Sequence, residues 1–97
     1  MDSVLTLLGL VYRARKALLG ESVLDSLKDV KLMFLASDIS EKSRERYLKK
    51  CAFYNIEHID GFSSEELSNA LGKKNIKVIG VIDEGFKTSI LKKMKED

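Results

Sequence analysis

Residues 30–36, VKLMFLA, are apolar at every position but one, and residues 77–82, KVIGVI, repeat the pattern late in the chain. Runs this short, bounded by polar residues and rich in branched side chains, read as strands buried on both faces. A strand buried on both faces needs a layer of helices above it and another below. The rest of the chain supplies them. Val4, Leu5, Leu7, Leu8 and Val11 mark one apolar helical face over residues 3–14. Val23, Leu24 and Leu27 predict a short helix over 21–28. Asp38 and Glu41, three apart, read as a capping box that opens a helix running to about Phe53, with Tyr47, Leu48 and Cys51 facing inward. Ser63 and Glu66 form a second such box before a helix ending at Gly72, and a last helix covers 86–95. Short strands are expected at 17–19 and 56–59. Helices and strands thus alternate throughout, which predicts an α/β fold with helices on both faces of one sheet. At 97 residues the chain is expected to form one domain spanning 1–97.

Several function classes fit poorly. No apolar run approaches the roughly 18 residues of a membrane span, so no membrane partner is expected. The start, MDSVLTLLGLVYRARK, is apolar and then basic, the reverse of a secretory signal. A lone cysteine, Cys51, agrees with a reducing compartment, and a cytoplasmic protein is expected. Catalysis by Cys51 and His58, the only histidine, is disfavoured, because Cys51 falls on the inward face of its helix and a buried thiol is inert. One cysteine and one histidine do not make a zinc site. Gly80 stands alone within its strand, and there is no glycine-rich phosphate loop. No catalytic residues, metal or cofactor are therefore expected, and the protein is not expected to be an enzyme.

The charge distribution says more than the net charge of +2. No acidic residue occurs from Ser3 to Gly20, where Arg13, Arg15 and Lys16 lie, or from Leu67 to Ile82, where Lys73, Lys74 and Lys77 lie. Asp60 to Glu66 carries three acids and no base. Positive charge gathered in two windows attracts a phosphate backbone even when the total is near neutral. Most charges between Lys42 and Lys50 read as a solvated helix face, with Lys42 and Arg44 near enough to the helix start to join a binding edge. Gly20, Glu21 and Ser22 open a helix directly after a strand, where backbone N–H groups and small polar side chains can meet phosphates and base edges.

With LLGLVYRARKALLGE at 7–21, KLMFLASDISEKSRERYLKKCAFYNI at 31–56, GFSSEELSNALGKK at 61–74 and VIGVIDEGF at 78–86, the chain resembles the YlxQ-type branch of the kink-turn-binding ribosomal protein superfamily, the L-seven-Ae group. The order and spacing of these pieces carry the resemblance, which covers nearly the whole chain. It implies a three-layer α/β/α sandwich around a four-stranded mixed sheet. It also implies binding of structured RNA, ribosomal RNA above all, in association with the ribosome and without catalysis. Relatives of this kind recognise sharply bent internal loops, where unstacked bases become readable.

The resemblance further implies a site in three pieces. Leu19–Ser22 would meet bases, with Lys16 just before it on a phosphate. Ala36–Ser40 would support that turn, and Gly72–Lys77 would grip the RNA from the other side. Arg15, Lys16, Lys73 and Lys74 are expected to neutralise phosphates. Gly20 and Ser22 would approach the bent backbone, Glu21 would accept from a base amino group, and Arg13 and Lys42 would lie at the rim. Two departures stand out. GESVLDSL reads as one residue shorter than its counterpart in relatives, with Asp25 where they carry lysine, and a carboxylate there repels phosphate. The loop before the last strand offers lysines where relatives use apolar residues. The alternative is a protein-interaction module of the same fold that has lost RNA recognition. A monomer is expected.

Overall fold

The structure is a computed structural model that describes residues 2–96; Met1 and Asp97, the ends of the domain read over 1–97, lie outside the described residues. The elements run α1 Ser3–Arg13, β1 Ala17–Leu19, α2 Glu21–Asp25, β2 Leu32–Leu35, α3 Glu41–Tyr54, β3 Glu57–Ile59, α4 Ser64–Leu71, β4 Val78–Val81 and α5 Glu84–Glu96. The strands form one sheet in the order β1-β4-β2-β3. β4 pairs antiparallel with both β1 and β2, and β2 pairs parallel with β3, so the sheet is mixed.

β2 and β4 hold the centre of the sheet, and every residue of both is buried. Their alternating side chains feed two cores, because successive strand residues point to opposite faces. Leu32, Phe34, Ile79 and Val81 pack among residues of α1, α4 and α5. Met33, Leu35 and Val78 pack among residues of α2 and α3. The chain is thus a three-layer α/β/α sandwich, as the two continuous apolar runs require.

Two glycines set how closely the layers approach. A Cβ on Gly80 would stand 3.2 Å from methyl carbons of both Val23 and Val30, so the bare backbone of β4 makes room for two branched side chains. A Cβ on Gly9 would stand 2.8 Å from the Ala70 carbonyl oxygen, so α1 and α4 cross backbone to backbone.

Some boundaries move. α2 stops at Asp25, short of the expected residue 28, and Leu27 is buried from the turns that follow. β2 is shorter than the run 30–36 that announces it. Asp38 does not cap α3. Ser40 does, its hydroxyl accepting from the Ser43 N–H at 3.2 Å. The box at Ser63 and Glu66 forms with both of its hydrogen bonds. α5 begins two residues earlier than expected, where the Asp83 carboxylate accepts from the Phe86 N–H at 2.9 Å. Among the described residues no helix is long and apolar enough to cross a membrane.

Candidate nucleic-acid interface

β1, β2 and β3 all run the same way, and β4 runs against them. One end of the sheet therefore collects the exits of three strands and the entry to the fourth. This is the end where open α/β sheets usually bind ligands. The hydrogen bonds fix which loops meet there. Gly20 N–H donates to the Val78 carbonyl at 3.0 Å, and Ala36 N–H donates to the Lys77 carbonyl at 2.8 Å. Gly20–Ser22, Ala36–Ser40 and Gly72–Lys77 thus converge on one end, as the resemblance implies. Lys42, in the first turn of α3, belongs to the same end.

Each loop has a physical reason for its shape. Gly20 sits at φ 54 and ψ −128, a conformation open to glycine and costly for other residues, and the space around it is open. Glu21 and Ser22 follow it, both exposed, on the single turn of α2. The lysine loop is held from below. The Ser68 hydroxyl, on a buried side chain of α4, accepts from the Ile76 N–H at 2.9 Å. The Ser68 carbonyl accepts from the Lys73 N–H, also at 2.9 Å. Gly72 and Asn75 take left-handed backbone conformations, with φ of 68 and 59. The loop is pre-shaped, and Lys73, Lys74 and Lys77 stand exposed on it.

The neighbouring β3–α4 connection treats charge differently. Arg44 donates to Asp60, and the Asp38 carboxylate accepts from both the Ser64 hydroxyl at 2.6 Å and the Ser64 N–H at 2.7 Å. Those hydrogen bonds from Ser64 hold the Asp38 carboxyl below its ordinary value, with a smaller contribution from the Lys77 charge. The hydrogen bond from Arg44 does the same for Asp60 against the opposing effect of burial. Arg44, read as a possible edge cation, is therefore consumed within the fold.

The first basic window is divided. β1 enters at the opposite end of the sheet, where the Lys16 carbonyl accepts from the Ile82 N–H at 2.9 Å. Four residues of extended chain put the Lys16 backbone about 13 Å from Gly20. Arg15 holds a left-handed conformation at φ 62 in the turn that ends α1, exposed beside Lys16. Arg13, in the last turn of α1, lies near the α1–α4 crossing, its Nη1 being 3.6 Å from where a Gly9 Cβ would stand. The link between the windows is Lys73, whose Nζ lies 5.6 Å from the Tyr12 ring centroid. Sequence reasoning missed Tyr12 and Ser68; no spacing rule announces the contacts that these helix residues make with the α4–β4 loop.

Asp25 does not enter this end. It shares a depression with Leu24, Lys28, Asp29 and Tyr54, the last residue of α3. α3 starts at the strand-exit end and is about 20 Å long, so Asp25 belongs to the far side. Cys51 lies buried with its Sγ 3.5 Å from Met33 Sδ, and burial pushes its thiol up. His58 is exposed on edge strand β3.

The fold and this end of it define a class: small α/β/α sandwiches that present a preformed lysine loop beside a glycine turn. No family model matches the chain. It is 33% identical over 100 residues to the RNA-binding protein YlxQ of Enterococcus faecium, covering 98% of this chain and 90% of that protein. It is 32% identical to the RNA-binding protein YlxQ of Bacillus subtilis (strain 168), covering 88% of each. A solved structure, described as a protein with unknown function from Bacillus halodurans C, superposes with a TM-score of 0.92 at 34% identity and covers 98% of this chain and 99% of that one. The chain belongs to the YlxQ family.

Proposed function

We propose that this protein binds structured RNA without catalysing a reaction, at the sheet end where three strands exit. One observation carries the reading: an internally braced loop presents Lys73, Lys74 and Lys77 to solvent, next to the open backbone of Gly20. The brace holds these cations out to solvent, and none of them forms an ion pair among the described residues. The names of the two relatives support RNA as the partner.

The finer reading is a bent internal loop of kink-turn type, in ribosomal RNA, met by a cytoplasmic monomer acting as one domain. Lys42, Lys73 and Lys74 contact phosphates on the two flanks of the bend. Gly20 and Ser22 approach its backbone, and Glu21 accepts from the amino group of an extruded base. Arg13 contributes at the rim beside Tyr12 and Lys73. Arg15 and Lys16 reach only RNA that continues past β1 along the side of the sheet.

Filter binding with a kink-turn hairpin and a straight duplex of equal length tests this. Tight binding of the bent RNA over the straight one, with affinity falling steeply as salt rises, is the expected result. Equal, weak binding of both removes kink-turn recognition. Retention of a protein partner after nuclease treatment, with no RNA bound, replaces the reading with that of a protein-interaction module.

A further inference from the structure

The outward side of α3 carries a pattern that the strand-exit site uses only at its first residue, Lys42. Lys42, Arg46, Lys49 and Phe53 are spaced four, three and four residues apart, so they fall along one ridge of the helix. Tyr47 and Cys51 are buried on the opposite side. The ridge is about 16 Å long, from Lys42 at the strand-exit end to Phe53 in the last turn. Lys50 flanks it, and all of these residues are exposed.

Two observations separate this ridge from an ordinary solvated face. First, its cations stand apart from the ion pairs found among the described residues. Among the described residues none of Lys42, Arg46, Lys49 and Lys50 forms an ion pair, although Glu41 and Glu45 share the helix and Glu45 lies one turn before Lys49. Second, the ridge ends in an aromatic ring that is 82% exposed. That ring packs edge to face against Tyr54, with centroids 5.0 Å apart and planes at 73°. Arg46, Lys49, Lys50, Phe53 and Tyr54 together line an open depression of about 370 Å³. A positively charged track leading to an open aromatic face is the arrangement that holds single-stranded nucleic acid: phosphates on the cations, a base on the ring.

We infer that the α3 ridge is a second RNA-contact surface, which takes a single strand leaving the strand-exit site along Lys42, Arg46 and Lys49 and stacks an unpaired base on Phe53. This rests on the RNA-binding reading of the strand-exit end. The ridge length matches about five nucleotides at stacked spacing. The specificity is for an unpaired extension, because a duplex keeps its bases inside and offers Phe53 nothing to stack on.

The test uses the whole protein and three probes: the bent-loop hairpin, the same hairpin with an unpaired tail of about eight nucleotides on either strand, and the tail alone, with 2-aminopurine placed along the tail. A tail on one strand should tighten binding about tenfold and steepen the salt dependence by about two log units per log unit, as three single-strand phosphate contacts require. Arg46→Glu with Lys49→Glu, and separately Phe53→Ala, should abolish the gain while tail-less binding stays within about twofold. Phe53→Trp should keep the gain, and 2-aminopurine fluorescence should be quenched in wild type and restored in Phe53→Ala. A tail that adds nothing, or a gain that survives both sets of variants, overturns the inference and leaves the strand-exit site standing. If the hairpin is not bound but the tail alone is, in a Phe53-dependent way, the bent-loop reading falls and the ridge stands. If no probe is bound, both fall.

Discussion

Two connections lie side by side where the strands exit, and they handle charge in opposite ways. In the β3–α4 connection and the loop beside it the charges are satisfied within the fold: Arg44 takes Asp60, Ser64 takes Asp38, and Ser63 and Glu66 exchange hydrogen bonds. In the α4–β4 connection Lys73, Lys74 and Lys77 are exposed, and the contacts that shape the loop, through Ser68 and its backbone, leave the ammonium groups out of ion pairs among the described residues. Lys73 is only partly engaged, over the face of Tyr12. The first connection holds the end of the sheet together and the second presents something. Charges used for stability and charges used for binding should therefore respond to different substitutions.

The largest expected effect breaks the presenting side. Lys73→Glu with Lys74→Glu should lower affinity for bent RNA by about a hundredfold and flatten the salt slope by about one per lysine, with the thermal midpoint nearly unchanged. A large fall in thermal midpoint would mean that these lysines are structural after all. Ser68→Ala tests the brace between the two functions. Losing the acceptor of the Ile76 N–H should cost about 1–2 kcal/mol in urea unfolding, and RNA affinity should fall because the loop is no longer pre-shaped. Unaltered affinity would show that the loop finds its shape on the RNA.

Arg44→Ala tests the holding side. Both partners of its ion pair are partly exposed, so the cost should be about 0.5–1 kcal/mol, with RNA affinity barely changed. A greater effect on binding than on stability would move Arg44 into the interface. The pH dependence sharpens the same point. Asp38 and Asp60 are held below the ordinary value of 3.8 in the fold. Groups depressed in this way contribute stability above their unfolded value and lose it as pH falls through the folded one. Urea midpoints should therefore drop below about pH 4, and Asp38→Asn with Asp60→Asn should flatten that drop. The smallest effect is expected at Cys51, buried against Met33 with its thiol pushed up. An alkylating reagent near neutral pH should leave it unmodified until the chain is unfolded.

Much of the architecture was legible because its signals are local. The runs at 30–36 and 77–82 demanded helices on two faces, and the apolar spacing of Val4, Leu8 and Val11 demanded that α1 be one of them. The box at Ser63 and Glu66 closes within four residues and formed as read. The box at Asp38 and Glu41 had the same spacing and did not form. Ser64, 26 residues away, offers Asp38 two hydrogen bonds at once, and a spacing rule does not see a partner brought in by the fold. The site divides likewise. Lys73 and Lys74 were visible as an acid-free window, and so were Arg15 and Lys16, yet β1 carries the latter pair to the other end of the sheet.

The chain's periodicities and caps determined by themselves that strands and helices alternate, where most of them begin, and that a sheet covered on both faces results, because each depends on neighbours within a turn or two. Only the tertiary structure decided that β4 runs antiparallel between β1 and β2, which brings Gly20, Ala36 and Lys77 together, and which cations remain free once Asp60 has taken Arg44. Strand pairing is settled by packing between distant segments. The same composition of lysines and arginines therefore becomes an exposed cationic surface or a set of braces according to which strand each one follows.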